Sequence, residues 1–215
     1  AWSLLQDCSS SNPSRSPFTV TSLSVSQRRQ RVIVAGHEGR SDVVLPFAND
    51  ADASVREATL RALQRCGALT PETHKIFCTD PSARVRRAAA EVAAKTRLPD
   101  LPILLSDEDN TVVEVACWAL GEWANDGAIA VEHLSAIARD HDDSLCRESA
   151  VAALGAIGDI AGLPAILEAM NNKAAVRRRA AIALAAFDTV EAEEALNKAL
   201  EDRDWQVRQI AEDLV

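Results

Sequence analysis

The chain has 215 residues, 47% of them hydrophobic and 26% charged, with a formal net charge of -9. That length can bury the core of one large domain or two small ones. With 39 Ala, 8 Gly, 8 Pro and 4% aromatics, the composition favours helix and excludes sandwiches, barrels, collagen-like and disordered chains.

In chain order, residues 1–25 read as a Ser-rich arm or linker and residues 26–215 as one repeat domain. The first residue is Ala, not Met, which reads as a fragment, a processed form or a trimmed chain. Residues 1–40 carry five Arg against Asp7 and Glu38, a net +3, whereas residues 41–215 carry 18 basic and 30 acidic side chains, a net -12. An acidic body does not suit nucleic acid or an anionic lipid surface. No apolar run reaches about 18 residues, so no membrane-spanning helix is expected.

Gln27–Gly36 (QRRQRVIVAG) reads as the second helix of a degenerate first unit, with Arg31 where a small core residue is expected. Terminal repeats are often atypical. From there the segments align on a Val-Arg anchor or its equivalent at positions 55, 85, 112, 146, 176 and 207, in steps of 30, 27, 34, 30 and 31. A period near 30 signals a helical hairpin.

The first, or A, helix of each unit is predicted at about 40–48, 71–78, 98–105, 128–139, 161–170 and 190–201. Pro71, Pro102 and Pro164 stand near A-helix starts, where a missing N–H costs little. Pro46 lies deeper and is expected to kink or shorten its segment. The second, or B, helix follows each anchor. Apolar residues then fall at +3, +4, +7 and +8, as at Ala58, Ala62 and Leu63, or at Ala150, Ala153 and Leu154, which is one buried stripe of 3.6 period. Asp, Asn or Ser before the anchor supplies the N-cap, and Gly67, Gly158 and Asp159 are expected to stop helices.

The block D-x(4)-V-R-x-x-A-A-x-A-L-G, seen best at residues 176–185 (VRRRAAIALA) and again at 204–208 (DWQVR), resembles the HEAT repeat in its bacterial, PBS-lyase HEAT-like form. The resemblance covers residues 40–215 and extends weakly to 26. It implies an all-α, right-handed α-α superhelix of about six hairpins. It also implies a ladder in which the Asp before one B helix meets the Arg that starts another. Arg56, Arg86, Arg147, Arg177 and Arg208 match on the basic side, and Asp50, Asp80, Asp107 and Asp202 on the acidic side. Val113 stands where the third unit should have its Arg, so the ladder is expected to break there. Because these pairs recur in every unit, they read as structure and not as a catalytic site.

HEAT-like folds also host enzymes. Alkylpurine DNA glycosylases use aromatic, acidic and basic residues in the groove. Trp118, Glu122, Asp126 and Arg147 could be placed on that scheme, but no basic stripe accompanies them. Deoxyhypusine hydroxylase needs several His-Glu pairs for iron, and only His37-Glu38 is present. A phycobilin-lyase activity shares the repeat name, yet no residue marks a tetrapyrrole pocket. The five cysteines, Cys8, Cys66, Cys78, Cys117 and Cys146, are odd in number and contain no CxxC, which reads as reduced thiols in the cytoplasm. His141 and Cys146 lie five apart, too few for a metal site, and His74, His133 and His141 read as surface or helix-end residues. No GxGxxG, P-loop, GxSxG or HExxH occurs. No catalytic residue, metal or cofactor is therefore assigned.

In such solenoids the B helices line a concave, partner-binding face. Positions +2, +5, +6, +9 and +10 are expected to point outward, and +6 reads Arg61, Glu91, Trp118, Ala152, Ile182 and Asp213. Trp118 beside Ala152 and Ile182, rimmed by Glu114, Glu122, Glu148 and Arg178, has the make-up of an interaction hot spot for a protein or peptide. The competing reading packs Trp118 as core. Trp123 is expected in the core and Trp205 as a seal on the last repeat. Arg177–Arg179 reads as one ladder Arg with solvated neighbours, or as a binder of an acidic peptide or phosphate.

Overall fold

A computed structural model describes residues 23–215. Most of the Ser-rich arm, residues 1–22, lies outside the described residues. Among the described residues there are helices and turns and no strand. The B helices are α1 (Val25–His37), α3 (Ala53–Arg65), α5 (Ala83–Thr96), α6 (Asn110–Gly121), α8 (Ser144–Ile157), α10 (Ala174–Leu184) and α12 (Trp205–Leu214). The A layer is made by α2 (Ser41–Val44), α4 (Pro71–Cys78), α7 (Val131–Asp140), α9 (Leu163–Ala169) and α11 (Val190–Ala199), with short 3-10 segments. Each B helix packs on the B helix before it and after it, and A elements stack likewise behind them, so the hairpins form an all-helical solenoid.

The local chemistry explains where helices start and stop. Asp52, Asp109, Asp143 and Asp204 cap B helices by accepting backbone N–H bonds from residues two further on. Ser24 and Gln27 form a reciprocal capping box on α1, so the degenerate first unit is a complete B helix. Gly158 ends α8 in the left-handed region at φ 69°. Asp159, expected to stop that helix, instead starts the next turn by accepting from Ala161 N–H. Pro46 sits in a 3-10 turn directly after α2, which keeps that A segment short.

The unequal steps are absorbed in the A layer. The shortest unit replaces its A helix by a six-residue 3-10 segment, Leu101–Ser106, where an α-helix was expected from residue 98. A 3-10 helix rises ~2.0 Å per residue against ~1.5 Å in an α-helix, so six residues span about 12 Å, the length of the eight-residue α4. The longest unit inserts an additional 3-10 stretch, Ala124–Ala130, before α7.

The buried surface of a B helix is wider than one stripe. From α3 to α10 the anchor, +4, +7 and +8 are buried, but +5 is buried too, at Leu60, Ala90, Cys117, Val151 and Ala181. Position +9 is buried at Ala94 and Gly121. Position +3 is buried only at Ala88 among the six units, and Arg179 there is exposed. A B helix touches its A helix and two B neighbours, so +5 and +9 are covered from the side. The two end helices show the directions. Arg31, at +4 of α1, is exposed while Val32 at +5 is buried; in α12, Ala211 at +4 is buried while Glu212 at +5 is exposed. Thus +4 faces the preceding helix and +5 the following one.

Candidate binding groove

The rows +2, +6 and +10 remain open. On α6 and its C-cap they hold Glu114, Trp118 and Glu122, one turn apart along one face. Trp118 is 45% exposed and does not pack as core, because the +6 residue of α8 is only Ala152. Glu114, Trp118, Glu122, Glu148 and Ala152 line one pocket of about 310 Å³ between α6 and α8, together with Leu145, Ser149 and Arg179. Glu148, Arg178 and Ile182 line the adjoining pocket of about 380 Å³ against α12, with Trp205 and Gln206. All seven residues singled out in the sequence therefore fall in two pockets that share Glu148 and Arg179.

Several placements differ from expectation. Trp205 is 65% exposed and does not seal the last repeat; as the first residue of α12 it stands over the second pocket. Arg179, read as a solvated neighbour of the ladder Arg, is exposed and lines both pockets although it falls at +3. The mixed character of the +3 column, Ala58, Ala88, Val115, Ser149, Arg179 and Ile210, was the sequence signal for that. Trp123 is core: only 5% exposed, its indole Nε1–H donates to Ala93 O at 2.9 Å. His74 is no surface residue. It is fully buried, bonds Ala89 O through Nε2 at 3.0 Å, and has the Cys78 thiol 3.5 Å from Nδ1. Burial holds His74 below its ordinary imidazole value and pushes the Cys78 thiol up to about 12, which disfavours the nucleophilic thiolate.

The charged face divides sharply. In the units of α3 and α5 the open rows neutralise one another: Arg61 bonds Glu91 across the two helices at 2.7 Å and Glu57 on its own helix at 3.3 Å, and Arg84 and Arg87 add ion pairs to Glu57 and Glu91. Around Trp118 that pairing stops. Among the described residues Glu114, Glu122, Glu148 and Arg179 make no salt bridge. Arg178 is held by the Gln206 side chain and by Ala174 O at 3.3 Å, with Asp204 3.8 Å away.

The ladder runs behind this face and is structural. Arg56, Arg86 and Arg177 each make two bonds of 2.6–2.8 Å to the Asp of the next unit, Asp80, Asp107 and Asp202. Those Asp also accept a backbone N–H two residues on, which fixes their own loops. Arg28, unassigned in the sequence, makes the same pair with Asp50 at 2.7 and 3.0 Å. The Arg177 bond holds the Asp202 carboxyl below its ordinary value. At Asp50, burial pushes the carboxyl up, but the bonds from Arg28 and the Asp52 N–H outweigh it and leave it low.

Two expected rungs are not made. Arg208 donates to Asp202 O, a carbonyl of its own unit. Arg147 reaches the carbonyls of His141 and Asp142 in its own loop, because Asn171 stands where the next Asp would be; its buried Nε has no partner among the described residues. With Val113 facing His141 one unit earlier, the ladder is interrupted at two successive interfaces, α6–α8 and α8–α10.

Stacked helical hairpins tied by an Arg–Asp ladder define an α-solenoid of repeats. Residues 98–175 match HEAT repeats and residues 176–202 match the PBS lyase HEAT-like repeat. No curated protein matches it. Among solved structures it is similar to an engineered protein (21% identity, 80% of this chain and 95% of that one, TM-score 0.59). It is also similar to a designed armadillo repeat protein in complex with the peptide (KR)4 (17%, 86% and 95%, TM-score 0.55). A third likeness is to the complex of CpcE and CpcF of phycocyanin lyase from Nostoc sp. PCC7120 (21%, 80% and 74%, TM-score 0.54). At these identities the likeness is one of fold. No described helix is long and apolar enough to cross a membrane.

Proposed function

We propose that the chain is a non-catalytic scaffold that binds another protein or a peptide along the open face of α6, α8, α10 and α12. The observation that carries this is the row of exposed apolar side chains, Trp118, Leu145, Ile182 and Trp205, in two adjoining pockets rimmed by charge. An exposed apolar cluster with a polar rim gains by excluding water on a partner, and Trp contributes most per side chain. The similar solved folds held with a peptide, and as CpcE with CpcF, support the same reading. Cys117 and Cys146 do not suggest chemistry: burial pushes the Cys146 thiol up to about 11 and that of Cys117 still further. The test is affinity capture from the native host with the wild-type chain and with Trp118→Ala, identified by mass spectrometry. Loss of specific partners by Trp118→Ala, with its helical circular dichroism intact, is expected; unchanged recovery overturns the proposal.

A further inference from the structure

We infer that the occupant of the α6–α8 pocket is an extended segment presenting a Lys or Arg, whose cation lies on the Trp118 indole among Glu114, Glu122 and Glu148. This inference rests on the interaction reading and adds the chemistry of the partner.

Three carboxylates line a pocket whose one cation, Arg179, bounds it toward α10. None of the three has an ion-pair partner within the described chain, whereas the matching rows of α3 and α5 neutralise themselves. Covering the pocket with an apolar surface would bury these carboxylates unpaired, which is costly. An acidic segment or a phosphate would meet three like charges. A cation pairs with the carboxylates and gains from the exposed indole face as well, an attraction that strengthens as the site is desolvated. The two requirements coincide because Glu114 and Glu122 sit one turn to either side of Trp118 and Glu148 faces them from the next helix. The body charge of -12 over residues 41–215 adds long-range attraction of the same sign. Arg178 and Arg179 end the acidic stretch at α10, so the fit is to one or two cations and not to a long basic tract.

The probe is a fluorescein-labelled octapeptide with a central Arg-Lys pair flanked by Gly and Ser, compared with the same peptide carrying Gln-Gln or Glu-Glu. Binding is read by fluorescence polarisation at two salt concentrations. The Arg-Lys peptide is expected to bind and the other two to fail. Trp118→Ala, which changes no charge, is expected to weaken binding about ten-fold. The triple variant E114Q/E122Q/E148Q is expected to weaken it at least as much. The control E132Q/E194Q/E201Q removes the same charge from exposed positions of the A layer and its turns, and is expected to leave binding within about two-fold. Equal binding of the Gln-Gln peptide, undiminished binding by Trp118→Ala, or an equal loss in the control overturns the inference. If Trp118→Ala loses its host partners while the Arg-Lys peptide does not bind, the groove stands and the cationic occupant falls. If Trp118→Ala keeps every partner, the groove itself falls.

Discussion

Arg147 and Arg177 occupy the same position at the start of successive B helices and differ in what faces them. Arg177 meets the Asp202 carboxylate with two bonds; Arg147 meets no carboxylate and keeps a buried, unpartnered Nε. Removing one side of a charged, hydrogen-bonded pair costs about 1.5–3 kcal/mol, so Arg177→Met should lower stability in urea by that amount. Arg147→Met should cost less than about 1 kcal/mol, since only bonds to its own loop are lost. Equal losses would show that the ladder contributes nothing across the interface. His74 gives a pH signature. Its value in the fold is lowered by burial, so the unfolded chain takes up the proton first. Its contribution is therefore intact above the ordinary imidazole range near 6.5 and is lost as pH falls from there toward the lower folded value. Unfolding midpoints measured from pH 8 to 5 should drop in this range, and a His74→Gln variant should flatten that drop. The burial of His74 was not legible in the sequence, because its place is set by Ala89 O on the neighbouring helix and not by its own segment. The rung residues Arg56, Arg86 and Arg177 were legible because they recur, whereas Arg28 lies in the degenerate first unit and was not assigned; the missing partner of Arg147 required knowing that Asn171 is its counterpart.

At the scale of the helix, the hairpin period and the anchor phase were readable, since the B helices share an apolar pattern and four of them an Asp cap, at Asp52, Asp109, Asp143 and Asp204. What a single-helix pattern could not give was burial from the side. Positions +5 and +9 look outward on an isolated helix and are covered only once neighbours stack. Glycine at +9 records how tightly they do so. A Cβ on Gly155 would lie 2.6 Å from Ala183 Cβ and 2.8 Å from Ala183 Cα, and one on Gly36 would lie 2.6 Å from Ala62 Cβ. Gly155→Ala must push α8 and α10 apart, and a destabilisation of about 1–3 kcal/mol is expected in denaturant unfolding despite the better helix propensity of Ala. A neutral or stabilised variant would show that the two helices have room to spare. The A layer follows a different rule: it was misjudged at residues 98–105 because the short step forces a 3-10 segment, which propensity does not signal.

Across the whole molecule, the open face changes character along the stack. Over α3 and α5 it is closed by its own ion pairs, and over α6 to α12 it exposes Trp118, Ile182 and Trp205 with unpaired carboxylates. The ladder is interrupted at α6–α8, where the first pocket lies, and at α8–α10, whereas the second pocket lies against α12 beside the intact Arg177–Asp202 rung. The seven groove residues were legible because the +2, +6 and +10 rows are outward in any stacking of this repeat. Trp205 was not, since its exposure depends on how α10 and α12 meet. The central claim is that binding belongs to this open half. The direct measurement is quantitative affinity capture from the native host with wild type, Trp118→Ala in the open half and Arg61→Ala in the closed half. The account predicts that Trp118→Ala alone loses the captured partners, and equal recovery by Trp118→Ala and wild type would contradict it.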